Sequence, residues 1–217
     1  MTRRGFIGGS FNPIHDGHIK AALETAKALV LDSVTFIPAY QSPLKEAHSV
    51  SAEHRLAMVE LAVADSPLLR CDDREISRQG RSFTVDTVRE LREDYGEDAS
   101  LFWIIGDDLL ATLNQWSRWR ALVDYCHLVV LRRPGHIRED CPGEVAVWLD
   151  SHAAESVSQP SGSVQFLELP LITMSSTSAR KGFLVDRNAK LLLPNPVMEY
   201  IEAQALYRDI ESTLETE

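Results

Sequence analysis

Cysteine is scarce in this chain of 217 residues, and Cys71, Cys126 and Cys141 stand far apart with no C-x-x-C pair. An odd, dispersed set speaks against a disulfide framework and a thiolate zinc site, and leaves free thiols. Cys126 lies in an apolar stretch and is expected as a small core residue. Runs of about 18 apolar residues are absent, which excludes a membrane-spanning helix. The opening residues MTRRGFIGGSF contain no long apolar segment of the signal-peptide kind, so a cytoplasmic protein is expected. Positive charge is in deficit as well. A net charge of −10 disfavours nucleic acid as a partner, because such binding rests on neutralising phosphates. A small anionic ligand remains possible where the site is locally basic, and His15, His18, Lys45, Arg132, Arg133 and Arg180 are the groups to place. Two common nucleotide signatures, G-x-G-x-x-G and G-x-x-x-x-G-K-[ST], are missing. So are internal repeats, linkers and low-complexity tracts.

The composition itself is ordinary for a globular protein, with 44% hydrophobic and 25% charged residues. A chain of this size buries roughly 70% of its unfolded surface, enough for a real core. A single domain over 1–217 is expected, with a helical C-terminal portion from about residue 176. The pattern alternates. Short apolar runs at 4–8, 34–39, 68–71, 101–105, 127–131 and 164–169 read as strands. Segments 17–30, 52–65, 84–94, 143–155 and 196–206 read as helices. Ser82 or Thr84 offers a cap for the third of these, and Gly96 its stop. Strands alternating with helices predict an α/β fold: a Rossmann-like, doubly wound, mostly parallel sheet with helices on both faces. Such sheets bind ligands at the carboxyl ends of their strands.

The motifs fall at those ends. GGSFNPIHDGH, residues 8–18, follows the first strand and enters the first helix. Glycines let a ligand approach the backbone, Pro13 fixes a turn, and His15 and His18 at i, i+3 share one helical face. Free N–H groups and the helix dipole favour an anion there. MSSTSAR, residues 174–180, places hydroxyls before a helix and Arg180 just inside it. Hydroxyls at a helix start often only cap it. With an arginine they also suit phosphate oxygens. IIGDD, residues 104–108, puts carboxylates after a buried strand, where they can cap a helix, accept from a ribose hydroxyl or help hold a metal. The remaining histidines and Trp103, Trp119 and Trp148 are expected in packing or surface roles.

Taken together, H-x-G-H near one end and S-S-T-x-x-R near the other resemble the nucleotidyltransferase superfamily that includes class I aminoacyl-tRNA synthetases. GGSFNPIHDGH, IIGDD, RRPG, SSTSAR, RSFTVDTV and LLLPNPVMEYIEAQALY resemble the bacterial nicotinate-nucleotide adenylyltransferases, over about residues 5–208. The resemblance implies transfer of AMP from ATP to nicotinate mononucleotide, giving deamido-NAD and pyrophosphate. It implies His15, His18, Lys45 and Arg180 as catalytic groups. Gly8, Gly9, Ser10, Phe11, Gly106, Asp108, Arg133, Ser176 and Thr177 would join His15, His18 and Arg180 around ATP. Ser10, Phe11, Lys45, Thr84 and Trp116 would hold nicotinate mononucleotide. Mg2+ is expected on the ATP phosphates, with no dedicated protein site. One departure is Ser42-Pro43-Leu44-Lys45, where the family usually has a histidine at the position of Leu44.

The acceptor phosphate is already ionised at pH 7, so no general base and no covalent intermediate are expected. Positioning two anions and stabilising the departing pyrophosphate is the task, with His15, His18, Lys45, Arg180 and Mg2+ supplying positive charge. A phosphopantetheine adenylyltransferase and a non-catalytic nucleotide sensor are the competing readings.

Overall fold

The computed structural model describes residues 2–44, 50–132, 141–169, 176–177, 180 and 192–207. Six parallel strands form one sheet in the order β3-β2-β1-β4-β5-β6. They are β1 (Arg3–Gly9), β2 (Ser33–Pro38), β3 (Leu69–Cys71), β4 (Ser100–Gly106), β5 (His127–Arg132) and β6 (Val164–Glu168). Helices α1 (Asp16–Leu29), α2 (Ala52–Val63), α3 (Arg74–Arg78), α4 (Thr84–Tyr95), α5 (Leu122–Tyr125), α6 (Gly143–His152) and α7 (Asn195–Ala203) are interleaved or follow. The expected α/β sheet is therefore present.

Central strands buried on both faces must be apolar almost throughout. SVTFIP of β2 is buried at every position, and β4 is buried from Ser100 to Ile105. Alternation along each strand then sorts side chains between two cores. Phe102 and Ile104 of β4 join Val129 and Leu131 of β5 on the α1 and α2 side, with Val197 and Ile201 of α7. Leu101, Trp103 and Ile105 face the other way, with Leu128 and Val130, against Val88 and Leu91 of α4 and Leu149 of α6. Trp119 and Trp148 stack edge to face in that second core, and Cys126 is buried there, as expected.

Three local features depart from the sequence expectation. Phe83, not Ser82 or Thr84, holds the N-cap position of α4, with no side-chain cap. The Ser82 hydroxyl instead accepts from the Tyr40 N–H at 3.0 Å, so a tertiary contact takes the group that local capping would have used. The single-turn α3 carries no amphipathic repeat long enough to read. The segment Asp107–Gln115 coils as a 3-10 helix, a conformation without a distinctive apolar period.

Strand order reverses between β1 and β4. A crevice opens at such a switch point, outside the carboxyl ends of the two strands. Gly9 ends β1 and Gly106 ends β4.

Candidate active site

The chain leaves β1 at Gly9 and reaches α1 at Asp16 through a tight, buried loop. Gly8 is fixed by packing. A Cβ there would lie 2.5 Å from the Trp103 ring, and one on Gly9 would lie 3.0 Å from the Phe11 ring. Phe11 itself has φ 45, a left-handed conformation that a bulky residue adopts only when its surroundings impose it. Its ring is buried edge-on against Phe36 and against His18.

The loop's carbonyls are gripped from several directions. Gly9 accepts from the Ala39 N–H at 2.9 Å. Ser10 accepts from Nη1 of Arg55 at 2.7 Å. Asn12 accepts from Nη1 of Arg180 at 2.6 Å, and Pro13 from the Ser176 hydroxyl at 3.0 Å. The Tyr207 hydroxyl donates to Oδ1 of Asn12 at 2.7 Å. A peptide carbonyl points opposite to the N–H of the next residue. Donors on the Ser10 and Pro13 carbonyls therefore turn the Phe11 and Ile14 N–H groups the other way. That is the construction of an anion cradle.

His15 is the N-cap of α1, and its ring stacks on His18 with centroids 3.6 Å apart and planes at 21°. The i, i+3 spacing thus does place both on one face. Burial drives the His15 pKa down to about 4, so this imidazole is neutral at pH 7. The expectation that His15 supplies positive charge is corrected on that ground. Two stacked imidazolium rings would also repel each other. The His15 N–H donates to Nδ1 of His18 at 3.2 Å, which leaves the His18 proton on Nε2. His18 is thereby set up as a neutral hydrogen-bond donor.

Arg180 closes the loop from the other end of the chain, and its second nitrogen Nη2 donates to the Thr177 hydroxyl at 3.2 Å. Ser176 and Arg180 thus meet the residues of the first motif directly, and Thr177 joins them through Arg180. Gly106 lies at the end of β4, paired with Leu131, and Asp108 is exposed in the first turn beyond it. Thr84 opens α4 half-buried, and Trp116 and Phe83 rest partly buried against the second core. The segment before Thr84 is tied to the end of β2, since the Ser82 N–H donates to the Gln41 carbonyl at 2.9 Å. Arg118 joins the Trp116 loop to α4 through an ion pair with Asp86 at 2.5 Å. Lys45 and Arg133 lie outside the described residues.

Arg55, Tyr207 and Asn12 were not singled out from sequence. Arg55 sits in an amphipathic helix where an arginine ordinarily faces water, yet it is only 1% exposed. The signal that could have found it is spacing, since Arg55 falls on the same helical stripe as the buried Ala52, Met58 and Val59. Tyr207 is buried, which raises its pKa, and the charges of Arg180 and Arg55 act against that rise. Two guanidinium groups therefore stand near one phenol beside the loop.

A family model described as cytidylyltransferase-like matches residues 6–182. A Yersinia pestis protein named nicotinate-nucleotide adenylyltransferase is 40% identical over 206 residues, covering 93% of this chain and 94% of that one. A Serratia proteamaculans protein of the same name is 41% identical over 207 residues, with 93% and 94% covered. The chain belongs to the nicotinate-nucleotide adenylyltransferase family. Among solved structures, a Plasmodium falciparum nicotinic acid mononucleotide adenylyltransferase complexed with NaAD superposes with a TM-score of 0.72 at 17% identity, over 95% of this chain and 98% of that one. That likeness is one of fold. As a member of this family the chain is a nucleotidyltransferase with a Rossmann-like fold.

Proposed function

We propose that the chain transfers AMP from ATP to nicotinate mononucleotide at the β1–β4 crevice, with the histidine pair and Arg180 on the triphosphate. The observation that carries the reading is the direct union of the two motifs: Arg180 and Ser176 hydrogen-bond the Asn12 and Pro13 carbonyls. Family membership at about 40% identity supports the same reaction. The product is deamido-NAD, and the activity belongs to NAD biosynthesis in the cytoplasm. No helix among the described residues is long and apolar enough to cross a membrane.

An oxygen of the acceptor phosphate attacks the α-phosphorus of ATP. The bond from that phosphorus to the bridging oxygen breaks in line, and pyrophosphate leaves with the electron pair. No proton has to be removed from the nucleophile. The protein's work is to hold two anions in register and stabilise charge developing on the transferred and departing groups. The Phe11 and Ile14 N–H groups, Nε2 of His18 and the N-terminus of α1 supply fixed donors. Ser176, Thr177 and Arg180 close over the phosphates. Gly8, Gly9, Ser10 and Phe11 line the floor shared by both nucleotides. Gly106, Asp108 and Arg133 serve the adenosine side. Thr84 and Trp116 hold the pyridine ring, and Lys45 meets the acceptor phosphate.

Among the described residues no group of three His, Cys, Asp or Glu side chains is placed to chelate a metal. Mg2+ would be carried by the ATP phosphates and water, an arrangement that needs at most one or two carboxylates. The ion would neutralise phosphate charge. The test is an incubation of the chain with ATP and Mg2+ against nicotinate mononucleotide, nicotinamide mononucleotide and phosphopantetheine in turn. Pyrophosphate and deamido-NAD should appear with the first. Turnover with phosphopantetheine instead, or with no acceptor, would overturn the assignment.

A further inference from the structure

Two arginines are buried among the described residues, and they are buried differently. Arg92, at the amino ends of the strands, is 6% exposed. All three of its nitrogens are used. Nε and Nη2 donate to the Tyr125 carbonyl at 3.0 and 2.7 Å. Nη1 donates to Gly96 and Ala99 at 2.8 and 2.7 Å, and Nη2 also to Pro160 at 3.1 Å. It is a satisfied clamp on loop carbonyls. Arg55, at the carboxyl ends, is more deeply buried at 1%. It uses Nη1 on the Ser10 carbonyl at 2.7 Å and Nη2 on the Tyr40 carbonyl at 2.9 Å. Its Nε is buried with no hydrogen-bond partner. No carboxylate pairs with it among the described residues.

A buried charge without a counter-ion is unfavourable, and two carbonyl dipoles compensate it only in part. The fold keeps this one directly behind the phosphate loop. Its two partners are informative. Ser10 belongs to the loop that the triphosphate reading occupies. Tyr40 leads into the Ser42–Leu44 turn, and its own N–H is held by Ser82, next to the segment that starts α4. A single rigid fork thus sets the spacing between the donor-nucleotide loop and the acceptor-side loops.

We propose that Arg55 is a positioning residue of this reaction. Its guanidinium aligns the two nucleotide loops through the Ser10 and Tyr40 carbonyls, and its unneutralised charge raises the affinity of the loop for polyphosphate. The proposal rests on the reading of this site given above. Polarisation of the Ser10 carbonyl strengthens the Phe11 N–H as a donor on the opposite side of the same peptide. The negative ligand would supply the ion-pair partner that no described carboxylate supplies.

The test uses the full chain as wild type, R55K, R55Q and R92Q. Pyrophosphate binding is measured by titration calorimetry in Mg2+ buffer, alongside kcat, KM and Tm. R55Q loses the charge and should weaken pyrophosphate binding about tenfold or more, equivalent to ~1.4 kcal/mol. R55K keeps the charge but cannot span both carbonyls in a planar fork. It should bind pyrophosphate within about threefold of wild type while kcat falls at least about tenfold. R92Q should lower Tm and leave pyrophosphate affinity unchanged. Wild-type affinity in R55Q overturns the charge role. Where R55Q does not fold, R55K decides, and a tenfold loss of its pyrophosphate affinity overturns that role equally. Unaltered kcat in R55K overturns the alignment role. An equal loss of affinity in R92Q at equal Tm reduces Arg55 to a stability residue. A wild type that binds pyrophosphate but makes no deamido-NAD sinks the acceptor assignment and leaves Arg55 judged on pyrophosphate alone.

Discussion

Nη1 of Arg180 donates to the carbonyl of Asn12 at 2.6 Å, so a side chain near the end of the sequence holds the backbone of a loop near its start. The same guanidinium is proposed to meet phosphate, and its planar fork allows both. Arg180→Lys removes the fork while keeping the charge. We expect kcat/KM to fall by roughly 10²-fold, the scale of one lost transition-state contact. Steady-state kinetics check this, and turnover within threefold of wild type would remove Arg180 from the phosphate clamp.

His18 presents Nε2–H as a neutral donor because the His15 N–H occupies Nδ1. His18→Ala should lower kcat by roughly 10²-fold or more. Pyrophosphate release at saturating substrates is the measurement, and near-normal turnover would falsify the assignment.

Trp116 rests partly buried against the second core, as does Phe83 just before Thr84. Trp116→Ala should raise KM for nicotinate mononucleotide more than KM for ATP. An equal rise in both would refute ring stacking and leave only a general loosening of the loop.

Gly8 has no room for a methyl group, since Trp103 fills the space beside it. Gly8→Ala forces that ring, or β1, to shift, and overpacking of this kind costs about 1–3 kcal/mol. Urea denaturation should show the loss. A variant as stable as wild type would mean the Trp103 ring swings aside freely.

His127 is wholly buried, with Nδ1 on the Ser163 hydroxyl at 2.7 Å and Nε2 on the Gln159 carbonyl at 2.9 Å. Burial is the main cause that lowers its pKa to about 4. The unfolded chain, with an ordinary histidine near 6.5, therefore binds a proton in a window where the folded protein does not. Stability is full above about pH 6.5 and is lost as pH falls toward 4, by about 3 kcal/mol for this one group. His15 acts in the same direction. In His127→Gln the slope of unfolding free energy between pH 6.5 and 4 should shrink, and an unchanged slope would mean that His127 titrates normally.

The sheet was legible because its signal is local. A short continuous apolar run such as LFWII, closed by Gly106, reads as a buried strand from neighbouring residues alone. The motifs were legible for a related reason. Histidines at i, i+3 before an Ala- and Leu-rich helix can point only one way. Arg55 lies on the apolar stripe of Ala52, Met58 and Val59, so its inward direction was legible, but what its charge meets there is decided by how α2 lies against the β1 and β2 loops. The neutrality of His15 was hidden likewise. A sequence shows an ionisable ring, while the surrounding density of atoms sets its charge. Ser82 looked like a cap because capping is a local rule, and a contact from Tyr40 outweighed it.

The loop at residues 10–13 is held by side chains at 55, 176, 180 and 207. Chain synthesis delivers these partners in order, and the last arrives only after the whole sheet has left the ribosome. A nascent chain can thus form its strands early, but this loop gains its last hydrogen bond only when Tyr207 reaches Asn12.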